Sequence, residues 1–142
     1  PVETVKYMSE ICEETEKHLH FDELPDFTRK NNVVEMISIS AATSANQLDA
    51  KLIVSSTMSG YTARKISNIR PDALILAQCL NESVARSLAL YYGVYTRIIP
   101  VCDTTDDVLK QSLKNAKNFM NLKENDVIIT KEKPVISRIR WT

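Results

Sequence analysis

The sequence predicts an α/β fold, specifically a three-layer α/β/α sandwich around a five-stranded mixed sheet, mostly parallel, with the last strand antiparallel at an edge. Three observations lead there. Beyond Ala50, short apolar runs alternate with helical segments: LIVS (52–55), ALILAQ (73–78), VYTRIIPV (94–101) and DVIIT (126–130) are separated by stretches suited to helix. The runs are nearly continuous in apolar residues rather than alternating, as strands covered on both faces must be. The connections are short, so the helices themselves serve as right-handed crossovers between parallel strands.

Each element has a local reason. Residues 1–19 carry Val2, Val5, Met8, Ile11 and Cys12 at steps of three and four, the stripe of an amphipathic helix with Pro1 at its start. Residues 20–32 lose that period, contain Pro25 and close on Asn31 and Asn32, which reads as a linker. A second helix is expected from Val33, where Met36, Ile37, Ile39, Ala41 and Ala45 stand among small residues that permit close packing on a sheet. Further helices are expected over about 59–69, 82–92 and 106–122. Thr104 and Thr105 precede the last of these, and Asp106 and Asp107 fall in its first turn, where carboxylates complement the helix dipole. Gly93, after Tyr91 and Tyr92, suits a left-handed helix C-cap. VISRIRWT follows Lys133 and Pro134 too closely for a crossover helix, so it should return antiparallel as an edge hairpin.

Composition limits the function classes. A chain of 142 residues, 44% hydrophobic, is of single-domain size. Eighteen basic side chains balance eighteen acidic ones, so no long-range field favours nucleic acid or an anionic membrane, and any anion site must be local. No apolar stretch approaches the roughly 20 residues that span a bilayer, and no signal-peptide pattern opens the chain, so a cytoplasmic location is expected. The opening proline is expected of a piece of a longer chain. Cys12, Cys79 and Cys102 are odd in number and widely spaced, as reduced structural thiols are. His18 and His20 lie two positions apart and offer no metal-ligand pair. There is no phosphate loop of the GxxxxGKS kind, no GxGxxG, no GxSxG and no cysteine beside an evident base. No catalytic or metal-ligating residues are therefore expected, and an independent phosphotransferase is disfavoured.

One stretch stands apart. LIVSSTMSGYTAR (52–64) holds one of only two glycines in the chain, among Ser55, Ser56, Thr57, Ser59 and Thr62. It lies at the carboxyl end of the first strand and leads into a helix, the rim where open α/β sheets bind ligands. Backbone N–H groups at a helix start attract anions, and small hydroxyl side chains add donors without bulk, so phosphate is the natural guest. The competing reading is that Thr57 or Ser59 simply caps the helix and Gly60 relieves a tight turn.

The ordered motifs extend well beyond this turn. AATSANQLDAKLIVSSTMSGYTARKISNIRPDALILAQ, followed by NESVARSLALYYGVYTRIIPV, resembles the carboxy-terminal domain of pyruvate kinases: an alanine-rich helix, a strand, a T-x-S-G-x-[ST]-A turn at Thr57 to Ala63, Arg70 with Pro71 before the next strand, a helix ending near Leu90 to Val94, and a D-T-D-like helix start at Asp103 to Asp106. PVETV at the amino end resembles the start of the last helix of that family's catalytic barrel. The resemblance thus implies three parts: 1–19 as the trailing barrel helix, 20–32 as linker, and 33–142 as the α/β domain. It implies a phosphoryl transfer from phosphoenolpyruvate to ADP in the whole enzyme, with magnesium and potassium, whose catalytic groups lie in the barrel and not in this segment. For this segment it implies a regulatory and tetramer-forming role, as a homo-oligomer. A phosphorylated sugar or nucleotide effector such as fructose 1,6-bisphosphate would be held at Thr57, Ser59, Gly60 and Thr62. The alternative is a purely structural subunit-contact domain.

Two departures from the family pattern bear on that site. Met58 and Tyr61 stand where many effector-binding relatives carry a basic or small residue. The glycine-rich segment between the last two strands is replaced by the shorter TKEKPVISRIRWT, where Lys131, Lys133 and Arg138 are alternative phosphate partners, Arg140 a fourth, or else charges that protect an edge strand from pairing.

Overall fold

The computed structural model describes residues 1–18, 33–130 and the backbone of 135–138. Helix α1 (Val2–Glu16) is followed by α2 (Val33–Gln47), then β1 (Leu52–Thr57), α3 (Tyr61–Ile69), β2 (Leu74–Cys79), α4 (Glu82–Leu88), β3 (Val94–Ile98), α5 (Thr105–Phe119), β4 (Val127–Thr130) and β5 (Val135–Arg138). The linker expected over 20–32 lies outside the described residues.

The sheet has the order β3-β2-β1-β4-β5. Four strands, β3, β2, β1 and β4, run parallel, with Leu52 opposite Leu74 on one side and Ile128 on the other. Strand β5 pairs antiparallel to β4, Thr130 facing Val135. The chain crosses the sheet outward through α3 and α4, and α5 then carries it back past β2 and β1. Right-handed crossovers place outward and returning helices on opposite faces. The packing shows that division. Ile53, Ile75, Ala77, Cys79 and Ile129 face α2, α3 and α4 through Ala41, Ala45, Ala63, Ile66, Ala85 and Leu88. Leu52, Val54, Leu76 and Ile128 face the other way, onto Leu113, Ala116 and Phe119 of α5. Alternate residues of every central strand are thus buried on alternate faces, each large aliphatic contributing about 1.5–3 kcal/mol. This is why the runs carry so few polar positions. Alanines 41, 42 and 45 let α2 lie close to α3 and β4, as the small-residue pattern implies.

Several boundaries are shorter than expected. Helix α4 stops at Leu88, not near Tyr92, because the Ala89 and Tyr91 N–H groups turn back to the Arg86 and Leu88 carbonyls and the Val94 N–H to that of Tyr91. Gly93 does adopt the left-handed conformation (φ 66°), but four residues beyond the helix cap at Ala89. It shapes the turn into β3 and is not a helix C-cap. The left-handed cap belongs instead to α3, at Arg70 (φ 52°), where Pro71 forbids continuation. At α5 the expected cap is present: the Asp107 N–H donates to Thr104 Oγ1 at 3.2 Å, and that hydroxyl donates to the Asp107 carboxylate at 2.6 Å. Helix α1 buries none of its residues, and Val2, Val5, Met8 and Ile11 of its apolar stripe are exposed.

Candidate functional site: the turn between β1 and α3

The chain leaves β1 toward β2 but leaves β4 toward β5, so neighbouring strands send their connections in opposite directions at their carboxyl ends. Such a divergence opens a crevice in parallel sheets. Strand β1 also runs three residues past Val54, the last residue paired with β4, carrying Ser55, Ser56 and Thr57 to the rim.

Gly60 is the N-cap of α3, with φ 78° and ψ −4°, and the helix start has no side-chain cap. Its own N–H donates to Thr57 Oγ1 at 2.9 Å. Ser59 therefore does not cap the helix; Thr57 closes the turn one residue earlier, on the cap residue itself. A side chain at position 60 would be strained by the positive φ, and its Cβ would come within 3.2 Å of Leu88 Cδ2. Both the backbone conformation and the approach of α4 thus favour glycine.

The four residues expected to form the site come together here. Thr57 and Thr62 are buried, Gly60 is buried beneath the turn, and Ser59 is exposed at its tip. Met58 is 77% exposed and Tyr61 half-buried, so neither occupies the floor of the turn. Lys131 and Lys133 lie outside the described residues, as does Arg140. Arg138 is placed by its backbone, opposite Val127 at the far end of β4 from the rim.

Sequence reasoning missed Arg64. Its Nη2 donates to the Ser59 carbonyl at 3.2 Å, bringing a guanidinium against the turn from the second turn of α3. The five-residue spacing was visible, but nothing in it showed that the side chain folds back over the turn instead of extending into solvent. Arg64 thus places a positive charge beside the turn. Beside it, Lys65 pairs with Glu35 of α2 and lies 5.4 Å from the Tyr61 ring centre. The Glu35 carboxylate raises the Lys65 ammonium above its ordinary pKa, against the opposing effect of burial. Tyr61 is in this way held toward α2.

A second polar cluster lies below the turn on the α5 face. Gln78 is fully buried, and its Oε1 accepts from Ser56 Oγ at 3.0 Å and from Ser112 Oγ of α5 at 2.9 Å. At the opposite pole of the sheet, Glu16, Arg70, Pro71, Asp72, Tyr92 and Gly93 help line a cavity of about 410 Å³. Among the described residues, no group of three or more His, Cys, Asp or Glu is placed to hold a metal ion. No helix among them is long and apolar enough to cross a membrane.

Residues 35–137 match the family described as pyruvate kinase, alpha/beta domain. The chain belongs to the pyruvate kinase family. It is 40% identical over 139 residues to the pyruvate kinase of Geobacillus stearothermophilus, covering 95% of this chain and 24% of that protein. It is 31% identical over 132 residues to that of Clostridium acetobutylicum, covering 91% of this chain and 28% of the relative. The crystal structure of Cryptosporidium parvum pyruvate kinase superposes with a TM-score of 0.70 at 33% identity, over 78% of this chain and 23% of that one. The chain therefore spans about a quarter of the length of the pyruvate kinases it matches, and what it contains is their α/β domain.

Proposed function

We propose that this chain is the regulatory and oligomerisation domain of a pyruvate kinase, an enzyme passing a phosphoryl group from phosphoenolpyruvate to ADP, and that the Thr57–Thr62 turn holds one phosphate of a phosphorylated effector. The domain itself is non-catalytic in this reading. The observation that carries the effector site is Gly60 as a left-handed N-cap without a side chain. A helix start of this kind turns backbone N–H groups toward the rim, where Ser59, Thr57 and Thr62 add hydroxyls and Arg64 adds a cation 3.2 Å from the Ser59 carbonyl. A sugar bisphosphate or a nucleotide monophosphate carries the group this arrangement suits.

Magnesium and potassium are what the family resemblance implies for the whole enzyme, and no group of three or more His, Cys, Asp or Glu among the described residues is placed to hold a magnesium ion. They belong, in this reading, to the rest of the enzyme. The exposed apolar stripe of α1 supports its assignment to a neighbouring barrel domain of the same polypeptide. The Thr57 to Gly60 hydrogen bond favours a second reading, in which the turn is structural and the domain serves subunit contact alone.

Calorimetric titration with fructose 1,6-bisphosphate and with AMP separates the two readings. The effector reading expects binding below millimolar ligand that Ser59→Ala and Thr62→Val each weaken. No heat at millimolar ligand, or binding untouched by both substitutions, refutes it.

A further inference from the structure

We propose that Gln78 is a positioning residue: its carboxamide ties α5 to the Thr57–Thr62 turn and so sets how firmly the turn is held for a phosphate. The second half of this proposal rests on the effector reading above; the first half does not.

Strand β2 is apolar up to this point, and an aliphatic side chain at position 78 would extend the α5-facing core begun by Leu76. A fully buried carboxamide instead must recover its lost hydration through hydrogen bonds. Gln78 recovers part of it from two hydroxyls on different elements, Ser56 at the end of β1 and Ser112 in the middle of α5. Its Nε2 finds no partner among the described residues, and neither does Asn115 Nδ2, one helical turn beyond Ser112. The group is therefore not there for its own satisfaction. Turning the carboxamide over would only exchange acceptor for donor between the same two hydroxyls, so the bridge stands in either orientation.

The connection continues into the turn without a gap. Ser56 is covalently followed by Thr57, whose Oγ1 receives the Gly60 N–H at 2.9 Å. A shift of α5 against the sheet is thus passed through Gln78 to the last residues of β1 and to the N-cap of α3. The bridge thus ties the middle of α5 to the rim ends of β1 and β2.

Amide hydrogen exchange in the full 142-residue chain tests the mechanical half. Ser112→Ala should speed exchange of the Gly60 N–H by roughly two- to tenfold, the factor corresponding to one lost hydrogen bond. Amides of α2 should be unchanged. In a Ser56→Ala background, Ser112→Ala should add nothing at Gly60. An unchanged Gly60 amide, an equal acceleration at every amide, or a full additional effect in the Ser56→Ala background each overturns the coupling. Both substitutions delete a single hydroxyl and leave the apolar core intact.

Titration with fructose 1,6-bisphosphate tests the functional half, and Ser112→Ala should weaken binding by a factor similar to the change in exchange. Unchanged affinity alongside faster Gly60 exchange overturns it. If the unsubstituted chain takes up no fructose 1,6-bisphosphate, the functional half falls with the effector reading, while the exchange result still decides whether Gln78 couples the two elements.

Discussion

Replacing each glycine by alanine separates conformational strain from packing. Gly60 and Gly93 both have positive φ, 78° and 66°, so alanine at either site pays the left-handed penalty of about 1–2 kcal/mol. The sites differ in their surroundings. A Cβ at Gly93 would meet nothing within 4 Å, whereas at Gly60 it would lie 3.2, 3.3 and 3.4 Å from Cδ2, Cγ and Cδ1 of Leu88. Leu88 is fully buried and has little room to yield, so overpacking adds roughly 1 kcal/mol, the low end for an extra methyl in a tight core. Gly60→Ala should then cost about 2–3 kcal/mol and Gly93→Ala about 1–2. The entropy that alanine removes from the unfolded chain is common to both and cancels in the comparison. At about 3 °C per kcal/mol for a chain of this size, the Tm values should differ by roughly 3 °C. Urea denaturation with fixed m-value gives the free energies directly. In a Leu88→Ala background the excess at position 60 should vanish. Gly93→Ala costing as much as Gly60→Ala, or an excess that survives loss of the Leu88 side chain, would refute the claim that α4 helps to dictate glycine in the turn.

Three further predictions concern other parts of the fold. Asn81 Oδ1 accepts from the Val84 N–H at 2.9 Å at the start of the seven-residue α4, so Asn81→Ala should cost about 1 kcal/mol in urea denaturation. Alkylation by iodoacetamide, followed by peptide mass analysis, should modify exposed Cys12 first, half-buried Cys102 next and buried Cys79 only on unfolding. Burial raises the Cys79 thiol above its ordinary pKa, so the folded state holds this proton more tightly than the unfolded chain. Its contribution is complete below the unfolded thiol pKa and is lost as pH rises through the folded value, and Cys79→Ser should alter that alkaline loss.

How much was legible depends on whether the signal is local. Leu52 to Val54, Ile75 to Ala77 and Ile128 with Ile129 announce buried strands because each run is covered on both faces and needs no partner to be recognised. Thr104 with Asp107 is equally local, a cap and its first turn within four residues. The end of α4 was overextended because Leu90, Tyr91 and Tyr92 continue an apolar pattern, yet Leu90 is 93% exposed and the backbone has already turned. In the candidate site, Gly60 and its hydroxyl neighbours were visible from composition. Leu88 beneath the glycine, Arg64 over the turn and the Gln78 bridge were not, since each depends on where a helix comes to rest. Ser112 stands 34 positions from Gln78, and no spacing rule links them.

The strand order has a consequence for how this chain is made. β1 pairs on one side with β2, which follows within about 20 residues, but on the other with β4, about 75 residues downstream. During synthesis, β1, β2 and β3 can assemble while the Leu52–Val54 edge still lacks its partner. An unpaired apolar edge is a template for the wrong strand. The last quarter of the chain therefore acts as a seal, and the interval before β4 arrives is when a nascent copy is most exposed to aggregation or to a chaperone.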